Sequence, residues 1–155
     1  MPSIRTKCFH QVEYTDSSLY QFPHGLPGFE QERAFLFLNR PDSHPLMFMQ
    51  SIATPELCFI LLPVFAVDPE YQLSLDDEAL AQLQFQSAGQ PKIGRDILCA
   101  VIVCTRANQE PPTVNLLAPI VVNLRERIGI QVIQTQSGYS HQHPLVPVEE
   151  MAPCS

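Results

Sequence analysis

Any chemistry in this chain would have to come from its cysteines and histidines. Cys99 and Cys104 stand five apart in an apolar run. A strand turns successive side chains to opposite faces, so this odd spacing separates the thiols and they cannot share a metal ion; core thiols are the reading that fits. His141 and His143 have the same-face spacing of two ligands. A zinc site needs three or four, and no others stand near in sequence, so two tail histidines is the plainer reading. Cys8 and His10 share a face of an alternating run, where a buried thiol beside a satisfied histidine fits better than a ligand pair. His24 alone has a setting that suggests a general base; no Ser or Cys is close to it in sequence, and partners distant in the chain stay open. The sequence has no phosphate loop, dinucleotide fingerprint or H-E-x-x-H. The expectation is a non-enzymatic protein with no metal and no cofactor.

Charge offers more. The sixteen Asp and Glu against nine Lys and Arg give a formal charge of −7. Contact with nucleic acid or an anionic membrane surface needs clustered cations, so neither is expected; a basic protein would be attracted. No Lys or Arg occurs between Arg40 and Lys92, a gap holding Asp42, Glu56, Asp68, Glu70, Asp76, Asp77 and Glu78 with no local cation. Two readings stand. Asp76, Asp77 and Glu78 fall in the first turn of a predicted helix, where the helix dipole favours acids. The whole stretch also suits an acidic patch that meets a basic partner.

These residues need a scaffold. A length of 155 residues fits one domain spanning 1–155, with residues 1–4 and about 140–155 as peripheral termini. Fifteen prolines against six glycines argue for many short segments rather than long helices. The longest apolar run, residues 58–67, is about half the roughly 20 residues of a membrane helix and is broken by Pro63. With no signal-peptide core and an odd number of cysteines, five, a cytoplasmic protein with reduced thiols is expected.

Residues 5–14 alternate as a strand, and the turn at Asp16-Ser17-Ser18 leads to a second strand at 19–22, together a hairpin. Residues 23–30 pack two glycines and two prolines into consecutive tight turns, with Gly28 suited to positive φ. This is either a corner whose Leu26 and Phe29 plug the core or a binding loop with an exposed Pro27-Gly28 tip. Further strands are predicted at 34–39, 46–52, 58–63, 96–105 and 128–133, the 58–63 run being central and covered on both faces. Ser74 is the predicted N-cap of the one helix, with Asp77 as capping-box partner and Leu75, Leu80 and Leu83 as its apolar stripe. The tail from Tyr139 is expected to lie over the surface. The fold class is mainly β: a single-domain antiparallel β-barrel or sandwich of about nine short strands with one short helix.

One stretch is unusual. Residues 113–123 are apolar and β-rich, yet contain Asn115, Pro119 and Asn123. Proline has no ladder donor, so two short strand pieces bent at Ala118-Pro119 are predicted, with both asparagines needing partners nearby. This run resembles the T-x-N-L-x-A-P-I-V-x-N signature of the FliW family of flagellar assembly factors, carried here by Asn115, Leu116, Ala118, Pro119 and Asn123. The corner Gly25, Leu26, Pro27, Gly28 and Phe29 is similar to that family's G-L-P-G-F-E. Gln50 and Ser51 match its L-Q-S, with Met49 as a volume-conserving departure. Gly129 and Gln131 match G-x-Q-V-I, and residues 68–83 resemble its acidic Y-x-x-x-L-x-D-E region. The tail matches loosely, at Pro144-Leu145.

The resemblance implies a non-enzymatic bacterial regulator that binds the translational repressor CsrA, relieving repression of flagellin mRNA, and also binds flagellin. Two ligands competing for one protein would couple flagellin level to its translation. For basic CsrA, charge points to Asp68, Glu70, Asp76, Asp77 and Glu78; the matched signature residues are expected to shape the fold. Two rivals stay open: a β-barrel carrier, which requires an interior cavity, and a small hydrolase or metal enzyme built on His24 or on His141 and His143.

Overall fold

A chain this rich in proline buries its apolar residues through short strands. In the computed structural model the described residues are 3–6, 10–86, 89–105, 111–135 and 137–145. Cys8 of the expected Cys8–His10 pair lies outside them, as do part of the loop before the signature and the tail beyond Leu145. The strands are β1 (Ser3–Thr6), β2 (His10–Glu13), β3 (Leu19–Gln21), β4 (Ala34–Asn39), β5 (Met47–Ser51), β6 (Cys58–Pro63), β7 (Ile97–Cys104), β8 (Thr113–Val114), β9 (Ile120–Asn123), β10 (Ile128–Gln131) and β11 (His143–Pro144). Two short helices, α1 (Val64–Val67) and α2 (Asp77–Gln82), lie between β6 and β7.

Seven strands close a barrel in the order β7-β6-β5-β4-β3-β10-β9, with β9 returning to β7. Neighbours are antiparallel except β3 and β10, which meet in parallel at Gln21 and Ile128. The mainly-β barrel expected from the sequence is thus the observed fold, with α1 as an unforeseen second helix. It forms where Pro63 ends the ladder, and Asp68 N–H closes its one turn on Val64 O at 2.9 Å.

The N-terminal hairpin differs from expectation. The alternating run is two strands, β1 and β2, paired from Ser3↔Glu13 to Thr6↔His10 as a separate sheet. β3 pairs with β4 instead. Alternation reports extended backbone but not a reversal of direction, and no Gly or Pro marks this one.

Side-chain alternation on the barrel wall divides the core in two. Phe22, Leu26, Phe35, Met49, Leu61, Ala100, Ile120 and Val122 fill the barrel interior, the volume a carried ligand would need. Cys99, Val101 and Val121 point the other way. They form a second core with Leu62, Tyr71, Leu75 and Leu83, beneath the segment that joins the two helices. β6 is central, but Cys58, Phe59 and Ile60 are only half-buried, so the covering of both faces is complete only at Leu61 and Leu62.

The signature run follows β7 and then breaks register. Val114 pairs with Val103 and Ile120 with Ala100, so residues 115–119 face only Val101 and Ile102. The three surplus residues form the bend predicted around Pro119. Asn115 Oδ1 stabilises it by accepting the N–H groups of Leu117 (3.1 Å) and Ala118 (3.0 Å). Gln131 Nε2 donates to Ala118 O at 2.9 Å. The freed carbonyls of Leu117 and Pro119 accept Gln134 N–H and Val132 N–H, which extends the chain after β10 along the bend.

Candidate functional site

The acidic segment is the part of the surface that the sequence singled out for a partner. It begins with a turn at Asp68, whose Oδ1 accepts Glu70 N–H at 2.9 Å. Tyr71 then inserts into the second core, 5% exposed, and its hydroxyl donates to Leu116 O at 2.6 Å. Its ring stacks on Tyr139 with centroids 4.3 Å apart. Burial, and then the neighbouring Cys99, Tyr139 and Asp68, push the Tyr71 hydroxyl well above the usual tyrosine range.

Residues 71–76 belong to no strand, yet their backbone is held as if in one. Gln134, 5% exposed, accepts Ser74 N–H through Oε1 and donates Nε2 to Ser74 O, both at 2.9 Å. Gln90 does the same for Leu75, at 2.9 and 3.0 Å. Gln72 N–H reaches the Tyr139 hydroxyl at 2.9 Å. Two glutamine amides thus replace a neighbouring strand.

This clamping shifts the helix start. Ser74, expected as the N-cap, stands two residues before the cap, which is Asp76, whose Oδ1 accepts Ala79 N–H at 2.8 Å. Leu75 and Leu83 are buried as predicted, although Leu75 precedes the helix. At the other end, Asn123 Nδ2 donates to Leu83 O at 2.7 Å, while Asn123 Oδ1 accepts Arg125 N–H and Glu126 N–H at 3.0 and 3.2 Å. The signature segment therefore anchors the acidic segment twice, at Leu116 and at Asn123.

Glu70, Asp76, Asp77 and Glu78 are exposed and Asp68 is half-buried; among the described residues none of the five makes an ion pair. Asp42, grouped with them by sequence, has a cation after all in Arg40 at 3.4 Å. Cations gather elsewhere: loops 92–96 and 124–127 are joined by Leu124 N–H to Asp96 O, and carry Lys92, Arg95, Arg125 and Arg127. Arg95 bonds Asp96, and with the Lys92 N–H it holds that carboxyl below its ordinary range.

The glycine–proline corner divides the two readings given to it. Leu26 is a core plug, 2% exposed, but Phe29 is 42% exposed and packs edge-on against Phe59 at 5.3 Å. Pro27 and Gly28 form an exposed tip. Gly25 is obligatory, since a Cβ there would sit 2.6 Å from Phe29 O at φ +63°. Gln50 and Ser51 are buried. Gln50 Nε2 lies 3.0–3.1 Å from the carbonyls of Ser51, Pro55 and Leu57. Ser51 Oγ donates to Glu32, which also accepts from Thr54 Oγ1 at 2.7 Å. Gly129 lies under the Phe22 ring.

The histidines do not converge. His24 and His141 are exposed, and His143 is on β11. Cys99 is a buried core thiol but Cys104, expected to be one too, is exposed; the odd spacing did separate them. Among the described residues no group of three or more His, Cys, Asp or Glu could hold a metal. The tail expected to lie over the surface is docked as far as Leu145: β11 pairs with β8, and Leu116 N–H reaches Ser140 O at 2.9 Å. Gln90, Gln134, Glu32 and Tyr139 are the residues sequence reasoning missed. No helix among the described residues is long and apolar enough to cross a membrane.

Comparison with known proteins agrees with this geometry. A sequence model of the FliW protein family matches residues 3–145. A flagellar assembly factor FliW of Desulfitobacterium hafniense (strain DSM 10664 / DCB-2) is 38% identical over 93% of this chain and 91% of its own. The one of Geobacillus kaustophilus (strain HTA426) is 37% identical over 93% and 95%. A crystal structure of a flagellar assembly factor FliW superposes with a TM-score of 0.81 at 35% identity, covering 96% of this chain and 99% of that one.

Proposed function

The chain belongs to the FliW family, and from that premise we propose that it serves flagellar assembly as a partner switch, binding CsrA and flagellin in competition. The observation that carries the reading is the acidic segment: five carboxylates without an ion pair among the described residues, on a backbone clamped by Gln90 and Gln134. A rigid surface loses little entropy on binding. A basic RNA-binding repressor such as CsrA is the partner whose charge this surface complements. Flagellin, once it accumulates, captures the protein and releases CsrA, which then represses flagellin synthesis.

Calorimetric titration with CsrA, with flagellin, and with each in the presence of the other tests this. Saturable binding to both, each weakening the other, is expected. Independent binding of the two, or binding of neither, overturns the switch. Reversing Asp76 and Asp77 to Lys is expected to weaken CsrA binding and flatten its salt dependence. Unchanged affinity removes the acidic segment from the contact.

A further inference from the structure

Beside the clamped segment runs a cleft of about 650 Å³, lined by Leu73, Ser74 and Asp76 on one side and by Val132, Ile133 and Thr135 on the other. Ile133 is 56% exposed, the most exposed of the large hydrophobic residues described. It is also the one of the four such residues that forms a wall of this cleft. Its position follows from the bend. Val132 and Gln134 turn their N–H groups to the signature carbonyls, which leaves Ile133 on the alternate side of an extended chain. Among the described residues the peptide groups of Leu73 and Ile133 make no hydrogen bond. Asp76 supplies negative charge at the cleft, and Glu70, Asp77 and Glu78 flank it in sequence.

We infer that this cleft is the docking site for the basic partner, with Ile133 as its apolar anchor. The occupant is a segment of a basic protein that places an aliphatic side chain against Ile133 and Leu73 and a Lys or Arg opposite Asp76. Charge complementarity selects that occupant: a neutral apolar segment would cover the Asp76 carboxylate with no cation opposite it, and an acidic one would be repelled. A few desolvated apolar contacts within a polar rim carry most of the affinity of such an interface, while rim charges govern approach. The two parts of the site therefore have different kinetic signatures. The inference rests on the partner-switch reading and adds to it the place where CsrA is gripped.

The test is Ile133→Ser, at a position exposed enough to leave the fold intact, with Leu124→Ser as the control, since Leu124 is 38% exposed and does not line the cleft. Binding of CsrA is measured by surface plasmon resonance, with thermal melts of each variant. Ile133→Ser is expected to weaken CsrA roughly tenfold or more, through faster dissociation, with the association rate and its salt dependence kept. Leu124→Ser is expected to bind like the parent. Equal binding by Ile133→Ser, equal loss in both variants, or a loss confined to association overturns the inference while CsrA binding by the parent protein still stands. Failure of the parent to bind CsrA overturns the switch itself and the inference with it.

Discussion

Asn123 is where the signature run and the acidic segment are joined most tightly, so removing its amide is the sharpest perturbation of the architecture. Asn123→Ala deletes three hydrogen bonds, to Leu83 O and from the N–H groups of Arg125 and Glu126. Leu83 is fully buried, so its carbonyl would be orphaned at roughly 1–3 kcal/mol. The turn at residues 124–127 is exposed and water replaces the amide there, which adds about 0.5–1 kcal/mol. A total of about 1.5–4 kcal/mol corresponds to a fall in Tm of roughly 3–16 °C for a domain of this size. Asn123→Asp separates the two contributions. It keeps both turn bonds but replaces the donor to Leu83 O with an oxygen, so it should destabilise at least as much as Asn123→Ala. Urea denaturation of the three proteins, with amide exchange read at residues 83–86, is the assay. A loss under about 0.5 kcal/mol in Asn123→Ala would mean that Leu83 O is not left orphaned, because an orphaned buried carbonyl costs more than that. So would a more stable Asn123→Asp, which would make the turn the real role of this residue.

Three further outcomes follow from the structure. Gly25→Ala should cost far more stability than Gly28→Ala: both have positive φ, but only at Gly25 would the new Cβ meet backbone at 2.6 Å; equal urea midpoints would contradict this. Gly129→Ala drives a Cβ to 2.4 Å from the Phe22 ring and should destabilise by about 1–3 kcal/mol, with much of the loss recovered in a Phe22→Leu background, as denaturation of the pair would show. Burial pushes the Cys99 thiol up to about 12 and raises the Tyr71 hydroxyl, so the native state keeps protons that the unfolded chain releases. Stability attributable to these groups is full below about pH 9 and is lost as pH rises above it; urea midpoints at pH 7, 9 and 10.5 should fall in that order, and a Cys99→Ala, Tyr71→Phe variant should show a shallower decline.

The parts of this structure that were legible in the sequence are those decided locally. A proline inside an apolar run, with asparagines on either side, announces a bent strand and names the groups that must satisfy it; Asn115 does so within three residues. A glycine in a proline-rich corner announces positive φ, expected at Gly28 and found there as well as at Gly25. The illegible parts depend on partners far away in the chain. Gln90 and Gln134 look like ordinary polar residues, and their partners lie 15 and 60 residues away. Because those amides bind the backbone N–H and C=O of Ser74 and Leu75, the helix does not begin at Ser74, whatever its capping box suggests, and Asp76 becomes the cap. The N-terminal hairpin was missed for a different reason: its alternation runs on without a breaker, so the reversal left no mark. Charge pattern located the acidic segment, but Ile133 could not be told from a core residue, because periodicity does not show which apolar side chain the barrel leaves outside.

Amide hydrogen exchange of this protein, alone and saturated with CsrA, tests most directly whether the clamped acidic segment is the partner-binding surface. Added protection is expected to concentrate in residues 70–83 and 132–135, which include the two walls of the cleft. Protection confined to the Gly25–Phe29 corner, or to the cationic loops at 92–96 and 124–127, would contradict it.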